Sequence, residues 1–220
     1  MGNFKMRALT YFMILTLTAC GQHKVKVIAD TFQDGKPKTI RYFNSLDDSK
    51  QVFTIEHTDG KGTVTKPLTF DEEEYYQNGK LQYKGHYFKG KTSGLWEYFY
   101  ETGIREAESY YDTNAKTTDT VHCWFESGKL KRIFIEIDTV KNYWHGIDYF
   151  ENGQKSIESY LLKDTSDKWI IEGKWLEWYE NGRLKLEAIM KNNSSFGKWT
   201  KWNEKGEIKE ISEKPFTITF

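Results

Sequence analysis

Proline and cysteine are scarce in this 220-residue chain, at three and two copies, and alanine is sparse too. Few alanines beside an aromatic content of 16% argue against a helical protein and for strands. An excess of one charge is also missing, because 32 Lys and Arg balance 32 Asp and Glu. That balance excludes the basic field used by nucleic-acid binders and polybasic membrane-surface proteins. No apolar run approaches the about 20 residues needed to cross a bilayer as a helix. The longest, Ala8 to Ala19, has twelve residues and is interrupted by Thr10, Thr16 and Thr18.

That run suits the apolar centre of a signal peptide, with Lys5 and Arg7 as its basic start. It closes on Leu17-Thr18-Ala19-Cys20, which resembles the lipobox of bacterial lipoproteins. The resemblance implies removal of residues 1–19, acylation of Cys20, and anchoring to a membrane through its acyl chains. Two or more chains hold a protein stably, whereas one does not. Gly2 is not a myristoylation site, since Met6 stands where that motif needs Ser or Thr. Gly21 after the cysteine is compatible with passage to an outer membrane, if the cell has one, so the expected location is the cell envelope. Loss of Lys5 and Arg7 leaves 30 basic and 32 acidic residues, a net charge of −2. Cys123 is then the one remaining thiol, without an intramolecular disulfide partner, and reads as a small buried hydrophobe.

What the chain has in abundance is a repeat. Two aromatics, an acidic or amide residue, a small polar residue and Gly recur as Tyr75-Tyr76-Gln77-Asn78-Gly79, Phe99-Tyr100-Glu101-Thr102-Gly103, Trp124-Phe125-Glu126-Ser127-Gly128, Tyr149-Phe150-Glu151-Asn152-Gly153 and Trp178-Tyr179-Glu180-Asn181-Gly182. Trp202-Asn203-Glu204-Lys205-Gly206 is a weaker sixth copy, and the glycines are spaced 24, 25, 25, 29 and 24 residues apart. The longest spacing holds a polar insertion, Lys163 to Lys168. Phe32-Gln33-Asp34-Gly35 and His57-Thr58-Asp59-Gly60 read as decayed upstream copies, and terminal repeats are commonly atypical because they cap the array. The expected organisation is a signal peptide (1–19), a lipidated Cys with linker (20–30), degenerate hairpins (31–69), regular repeats (70–213) and a terminal strand (214–220). Pro215 is expected to protect that last edge.

The segment Gly173-Lys174-Trp175-Leu176-Glu177-Trp178-Tyr179-Glu180-Asn181-Gly182-Arg183-Leu184-Lys185 shows the full pattern, which resembles the bacterial variant of the MORN repeat. Val121 and Gly146 depart from it by replacing the expected Trp. Asn203 replaces an aromatic, and Ile104-Arg105 and Gln154-Lys155 shift the Leu slot. The resemblance implies an all-β, elongated, single-layer antiparallel meander of consecutive hairpins acting as an interaction module. Some members of the family resemble antitoxin or immunity proteins.

Asn-Gly between aromatic runs predicts a two-residue type I′ turn, from which cross-strand partners can be counted. The count sets Tyr76 against Leu81, Phe125 against Leu130 and Tyr179 against Leu184. On that face it also sets Trp96 against Ser109, Trp175 against Ala188, Trp199 against Ser212 and Val121 against Phe134. These volume-matched pairs predict a core-like face. The other face should carry the first aromatics, Tyr75, Phe99, Trp124, Tyr149, Trp178 and Trp202. There Lys131, Lys185 and Lys209 are expected opposite Trp124, Trp178 and Trp202, with Glu126 and Glu180 opposite Lys129 and Arg183. These nine aromatic and lysine residues form the candidate binding surface, although such a row can equally brace a sheet that has no second layer.

Catalytic chemistry is not apparent. The five histidines show no metal-ligand spacing, and adjacent His122 and Cys123 fall on opposite faces of a strand. Asp71 to Glu74 lacks the geometry of a calcium loop, and Gly60-Lys61-Gly62 has no nucleotide-binding context. No cofactor or metal is expected. The leading expectation is a non-catalytic module holding a protein partner at the envelope. The alternatives are an immunity protein neutralising a secreted toxin, and a glycan-binding or glycan-active surface protein.

Overall fold

The computed structural model describes residues 24–45, 69–164 and 168–218. Cys20, the signal segment and the upstream copy ending at Gly60 lie outside the described residues. The fold is all-β, as the resemblance implied. Its strands are β1 (Val25–Thr31), β2 (Pro37–Phe43), β3 (Phe70–Tyr75), β4 (Leu81–Phe88), β5 (Lys91–Phe99) and β6 (Arg105–Tyr111). They continue as β7 (Thr117–Trp124), β8 (Leu130–Asp138), β9 (Tyr143–Tyr149), β10 (Lys155–Lys163) and β11 (Trp169–Trp178). The last are β12 (Leu184–Lys191), the two-residue β13 (Ser194–Ser195), β14 (Trp199–Trp202) and β15 (Ile208–Ser212). All belong to one antiparallel sheet in which sequential strands are neighbours, apart from β13, which pairs with β12 beside the main path. β1 begins within the stretch read as linker, and the Gly35 copy of the motif makes the turn between β1 and β2.

The turns differ from the expected type I′. In every regular repeat the Gly N–H donates to the carbonyl of the residue three before it, as in Gly79 N to Tyr76 O at 2.9 Å. The residue after the Gly returns its carbonyl to that same position, as in Tyr76 N to Lys80 O at 2.9 Å. Gly79, Gly153 and Gly182 have positive φ while Asn78, Asn152 and Asn181 do not. Positive φ at neither central position leaves a type I turn followed by Gly in the left-handed region, the three-residue hairpin loop with a bulge at Gly. Asn instead uses its side chain. Oδ1 of Asn78, Asn152 and Asn181 accepts the N–H two residues on, at 2.9–3.0 Å. Asn203, which stands in an aromatic slot, does the same for Lys205 and Glu207, both at 3.0 Å.

The longer loop displaces the register beside the turn by one residue, and a second bulge restores it further out. The first aromatic of each pair, not the second, opposes the residue two past Gly: Tyr75 meets Leu81, Trp124 meets Leu130 and Trp178 meets Leu184. The register shift then skips Lys131, Lys185 and Lys209, so these lysines are bulge residues and not partners of Trp124, Trp178 and Trp202. Beyond the bulge the two offsets cancel. Trp96–Ser109, Trp175–Ala188, Trp199–Ser212 and Val121–Phe134 pair as the sequence predicted.

The volume-matched face holds the core. Val121, Phe134, Gly146, Ser159, Trp175 and Ala188 form one row of cross-strand partners on successive strands, large residues facing small ones. A methyl at Gly85 would sit 2.2 Å from the indole of Trp96, and one at Gly146 would sit 2.9 Å from Phe134. Both glycines are therefore holes that a neighbouring strand's ring fills. The main cluster is Leu161, Ile171, Trp175, Leu186, Ala188, Met190 and Trp199. Phe216 and Ile218 of the C-terminal segment pack on it. Over its described residues, 214–218, that segment makes a bridge and not a strand. Thr217 makes one bridge to Ser194, Phe216 meets Trp199 edge-on at 5.2 Å, and β15 is left as the sheet's last strand.

Candidate functional site

The six first aromatics lie in a row near the turns, and all six are half-buried. In two repeats the residue two past the Gly reaches the ring of the next hairpin. Arg105, paired with Phe99 in its own hairpin, carries its guanidinium 5.6 Å from the ring of Trp124 in the next. Lys155, paired with Tyr149, lies 5.7 Å from the ring of Trp178. Each such contact contributes roughly 0.5–1 kcal/mol at a half-exposed site. Tyr75 donates its hydroxyl to Glu73 Oε2 at 2.6 Å, and burial followed by that carboxylate pushes the phenol's pKa upward.

Where the second aromatic of the pair is Tyr, it is tied to the following repeat. Tyr76 OH donates to the Phe99 carbonyl at 2.8 Å, Tyr100 OH to Trp124 at 2.7 Å, and Tyr179 OH to Trp202 at 2.9 Å. The turn asparagines add a second tie. Asn78, Asn152 and Asn181 donate Nδ2 to the carbonyls of Glu101, Glu180 and Glu204 in the next turn. Adjacent hairpins are thus latched at the turn edge by bonds that repeat with the sequence.

The nominated lysines fare differently from one another. Lys131 lies 5.7 Å from Phe125, and Lys185 pairs with Glu177 at 2.9 Å. Lys185, Lys209 and Trp202 are brought together around a cavity of about 360 Å³ with Tyr179, Lys201 and Phe216. Lys201 was not singled out from sequence; its ammonium lies 4.9 Å from Trp199 and 5.7 Å from Phe216. The signal for it was available, since it falls two residues past Trp199 and so on the same face.

The face opposite the volume-matched core carries the ionic network. Lys84, Glu97, Arg105, Glu108 and His122 are linked in sequence at 2.6–3.2 Å across β4 to β7. His86 and His145 pair with Asp71 and Glu158. Burial raises the Asp71 carboxyl, but hydrogen bonds from Lys24 and His86 outweigh it and hold it below its ordinary range. Lys155 and His145 do the same for Glu158. These are paired, structural ions. Among the described residues no group of three or more His, Cys, Asp and Glu side chains converges as a metal site. Cys123 is half-buried, and burial pushes its thiol pKa up, away from the reactive thiolate.

No curated protein matches the chain. Residues 71–89, 93–113 and 171–192 match the family described as MORN repeat variant. They coincide with the hairpins β3–β4, β5–β6 and β11–β12. The hairpins of this chain are accordingly similar to MORN repeats, and those three carry the family's signature.

Proposed function

We propose that this chain is a non-catalytic, lipid-anchored repeat module that holds a protein partner at the cell envelope. The anchor rests on Lys5 and Arg7, the apolar run to Ala19, and the Leu17-Thr18-Ala19-Cys20 sequence. Val25 opens β1 five residues beyond Cys20, so the first edge of the sheet can stand no more than about 18 Å from the acylated residue. Replacing Cys20 with Ser should move the protein from the membrane to the soluble fraction. Retention of the variant on membranes would refute the anchor.

The observation that carries the binding reading is the convergence of Trp202 and Tyr179 with Lys185, Lys201 and Lys209 at one cavity. Three ammonium groups against one carboxylate, Glu177, suit an acidic, ring-bearing segment of a partner. A regular array spreads like groups along a line, which serves recognition better than the convergence of unlike groups that catalysis needs. The test is quantitative affinity capture of the acylated protein from its own membranes. Lys209→Glu, at an exposed position, should lower recovery of the partner while leaving the unfolding midpoint unchanged. Trp202→Ala should lower recovery further. Undiminished recovery with both variants would remove this surface from the proposal.

A further inference from the structure

The array lacks Trp in its buried slot at two places, Glu72 in the first regular repeat and a wider break in the third and fourth. Trp96, Trp175 and Trp199 are buried on the volume-matched face, but Val121 and Gly146 occupy the same slot in the third and fourth regular repeats. A cavity of about 500 Å³ opens there, lined by Val121, Phe134, Trp144 and Trp169 with Lys116 and Lys163. The chain's polar insertion begins at Lys163 and ends immediately before Trp169, so a second break in periodicity falls on the same spot. Neither of the two hairpins concerned, β7–β8 and β9–β10, is among the segments that match the repeat family.

The cavity's walls are built in a particular way. Trp169 is 37% exposed. It stacks on Phe134 at 5.8 Å and meets Trp144 edge-on at 5.8 Å and 87°. The two indoles thus make a right-angled apolar corner. Glu136, two residues past Phe134 and so on the same face, has a side chain only 1% exposed. Lys116 Nζ lies 3.0 Å from its Oε1, so a buried carboxylate behind the wall holds one of the two lysines that line the cavity.

We propose that this cavity binds a pyranose sugar ring. A puckered ring presents C–H groups on one face and one edge, which a right-angled pair of indoles can cover together. Its hydroxyls both donate and accept, and the lining supplies both senses: Thr117 and Asn142 as donors and acceptors, Lys116 and Lys163 as donors. The volume falls within the roughly 300–1,000 Å³ of small-ligand sites. The site lies apart from the lysine-lined cavity assigned above to a protein partner, so either assignment can fail without the other.

The test uses the full acylated protein in a detergent without a sugar headgroup. Saturation-transfer NMR is run with chitobiose, cellobiose and a glucuronate-containing disaccharide at millimolar concentration. At least one should receive saturation at its ring C–H protons. The neutral and acidic probes report whether the lysines select a charged sugar. Trp169→Ala, at a partly exposed position, should weaken binding at least about tenfold. Val121→Trp places in the cavity the side chain that three other repeats carry at this slot and should abolish binding, with the unfolding midpoint showing that the variant stays folded opposite Phe134. No transfer to any of the three sugars would overturn the proposal. So would binding that survives both folded variants, or displacement of the sugar by Lys209→Glu.

Discussion

Gly85→Ala is expected to destabilise this protein because of Trp96, and to stop doing so when Trp96 is gone. Gly85 has an ordinary negative-φ strand conformation, since it is absent from the positive-φ residues. Alanine there should on conformational grounds stabilise by about 0.4–1 kcal/mol. Against this, the added methyl would lie 2.2, 2.3 and 2.6 Å from Cδ2, Cε2 and Cε3 of Trp96, where carbon atoms need about 3.5 Å. The indole cannot step aside. It is 4% exposed, stacked on Tyr83 at 5.7 Å, edge-on to Tyr87 at 5.1 Å, and bonded through Nε1 to the His86 carbonyl at 3.2 Å. Overpacking of this kind costs about 1–3 kcal/mol, and lies at the upper end here because three ring atoms are met at once. Trp96→Ala alone should cost about 3–5 kcal/mol. In that background Gly85→Ala should become neutral or stabilising, giving a coupling of about 2–3 kcal/mol. Urea unfolding of the four proteins, followed by tryptophan fluorescence and far-UV circular dichroism, closes the cycle. An equal penalty for Gly85→Ala in both backgrounds would refute the claim that glycine is the hole for this ring.

Three further outcomes follow from the turns and the ions. Tyr179→Phe removes the hydroxyl given to the Trp202 carbonyl and should cost about 0.5–1.5 kcal/mol, whereas Phe150, which has no hydroxyl, should tolerate Phe150→Tyr without loss; an unchanged urea midpoint for Tyr179→Phe would remove the latch. Gly182→Ala forces a side chain into φ of +80° and should cost about 1–2 kcal/mol, while Asn181→Ala should cost less because Asn181 is not left-handed; the reverse order in thermal unfolding would restore the type I′ turn. Asp71 and Glu158 titrate below their ordinary values of 3.8 and 4.5 when folded, so they stabilise the fold above those values and cease to as pH falls through the depressed ones; urea midpoints should be level above about pH 5 and drop below about pH 4, and a profile level to about pH 3 would count against both pairs.

The hairpins, their number in the regular array and the volume-matched face were legible because they rest on period and on alternation. Trp175 against Ala188 and Trp199 against Ser212 could be counted at a distance from the turn. The bulges were not legible. Asn-Gly serves both a two-residue and a three-residue loop, and what separates them is whether the Asn side chain is engaged by the backbone ahead of it. Oδ1 of Asn181 accepts the Arg183 N–H and its Nδ2 reaches the next turn, so the partner that decides the loop lies in part outside the hairpin being read. Because a second bulge cancels the first, the error is confined to the residues beside the turn. Those are the residues from which the aromatic and lysine partners were counted, so Lys131, Lys185 and Lys209 moved from ring partners to bulges.

Regularity and function pull in opposite directions in such an array. Each latch, such as Tyr100 OH to Trp124 O, needs only a Tyr in one hairpin and a backbone carbonyl in the next, so it holds the donor position at the turn edge to Tyr. Among the described residues the hydroxyl-to-carbonyl latch does not recur at the opposite ends of the strands, and the departures gather there: Val121 and Gly146 in the Trp slot, Trp144 and Trp169 off it, Glu136 among aromatics, and, in the sequence, the insertion from Lys163 to Lys168. Loss of two indoles from a close-packed row would ordinarily cost about 3–5 kcal/mol each. Phe134 offsets part of this by taking the space over Gly146, and the C-terminal strap shields the neighbouring cluster through Phe216 and Ile218. The remainder is an open, aromatic-walled space beside the buried Lys116–Glu136 pair, in a sheet where Trp96, Trp175 and Trp199 show how the same slot is filled. A change that places Trp at 121 therefore separates the two demands on the chain, since it should fill the gap and lose whatever the gap was kept for, while the fold is retained.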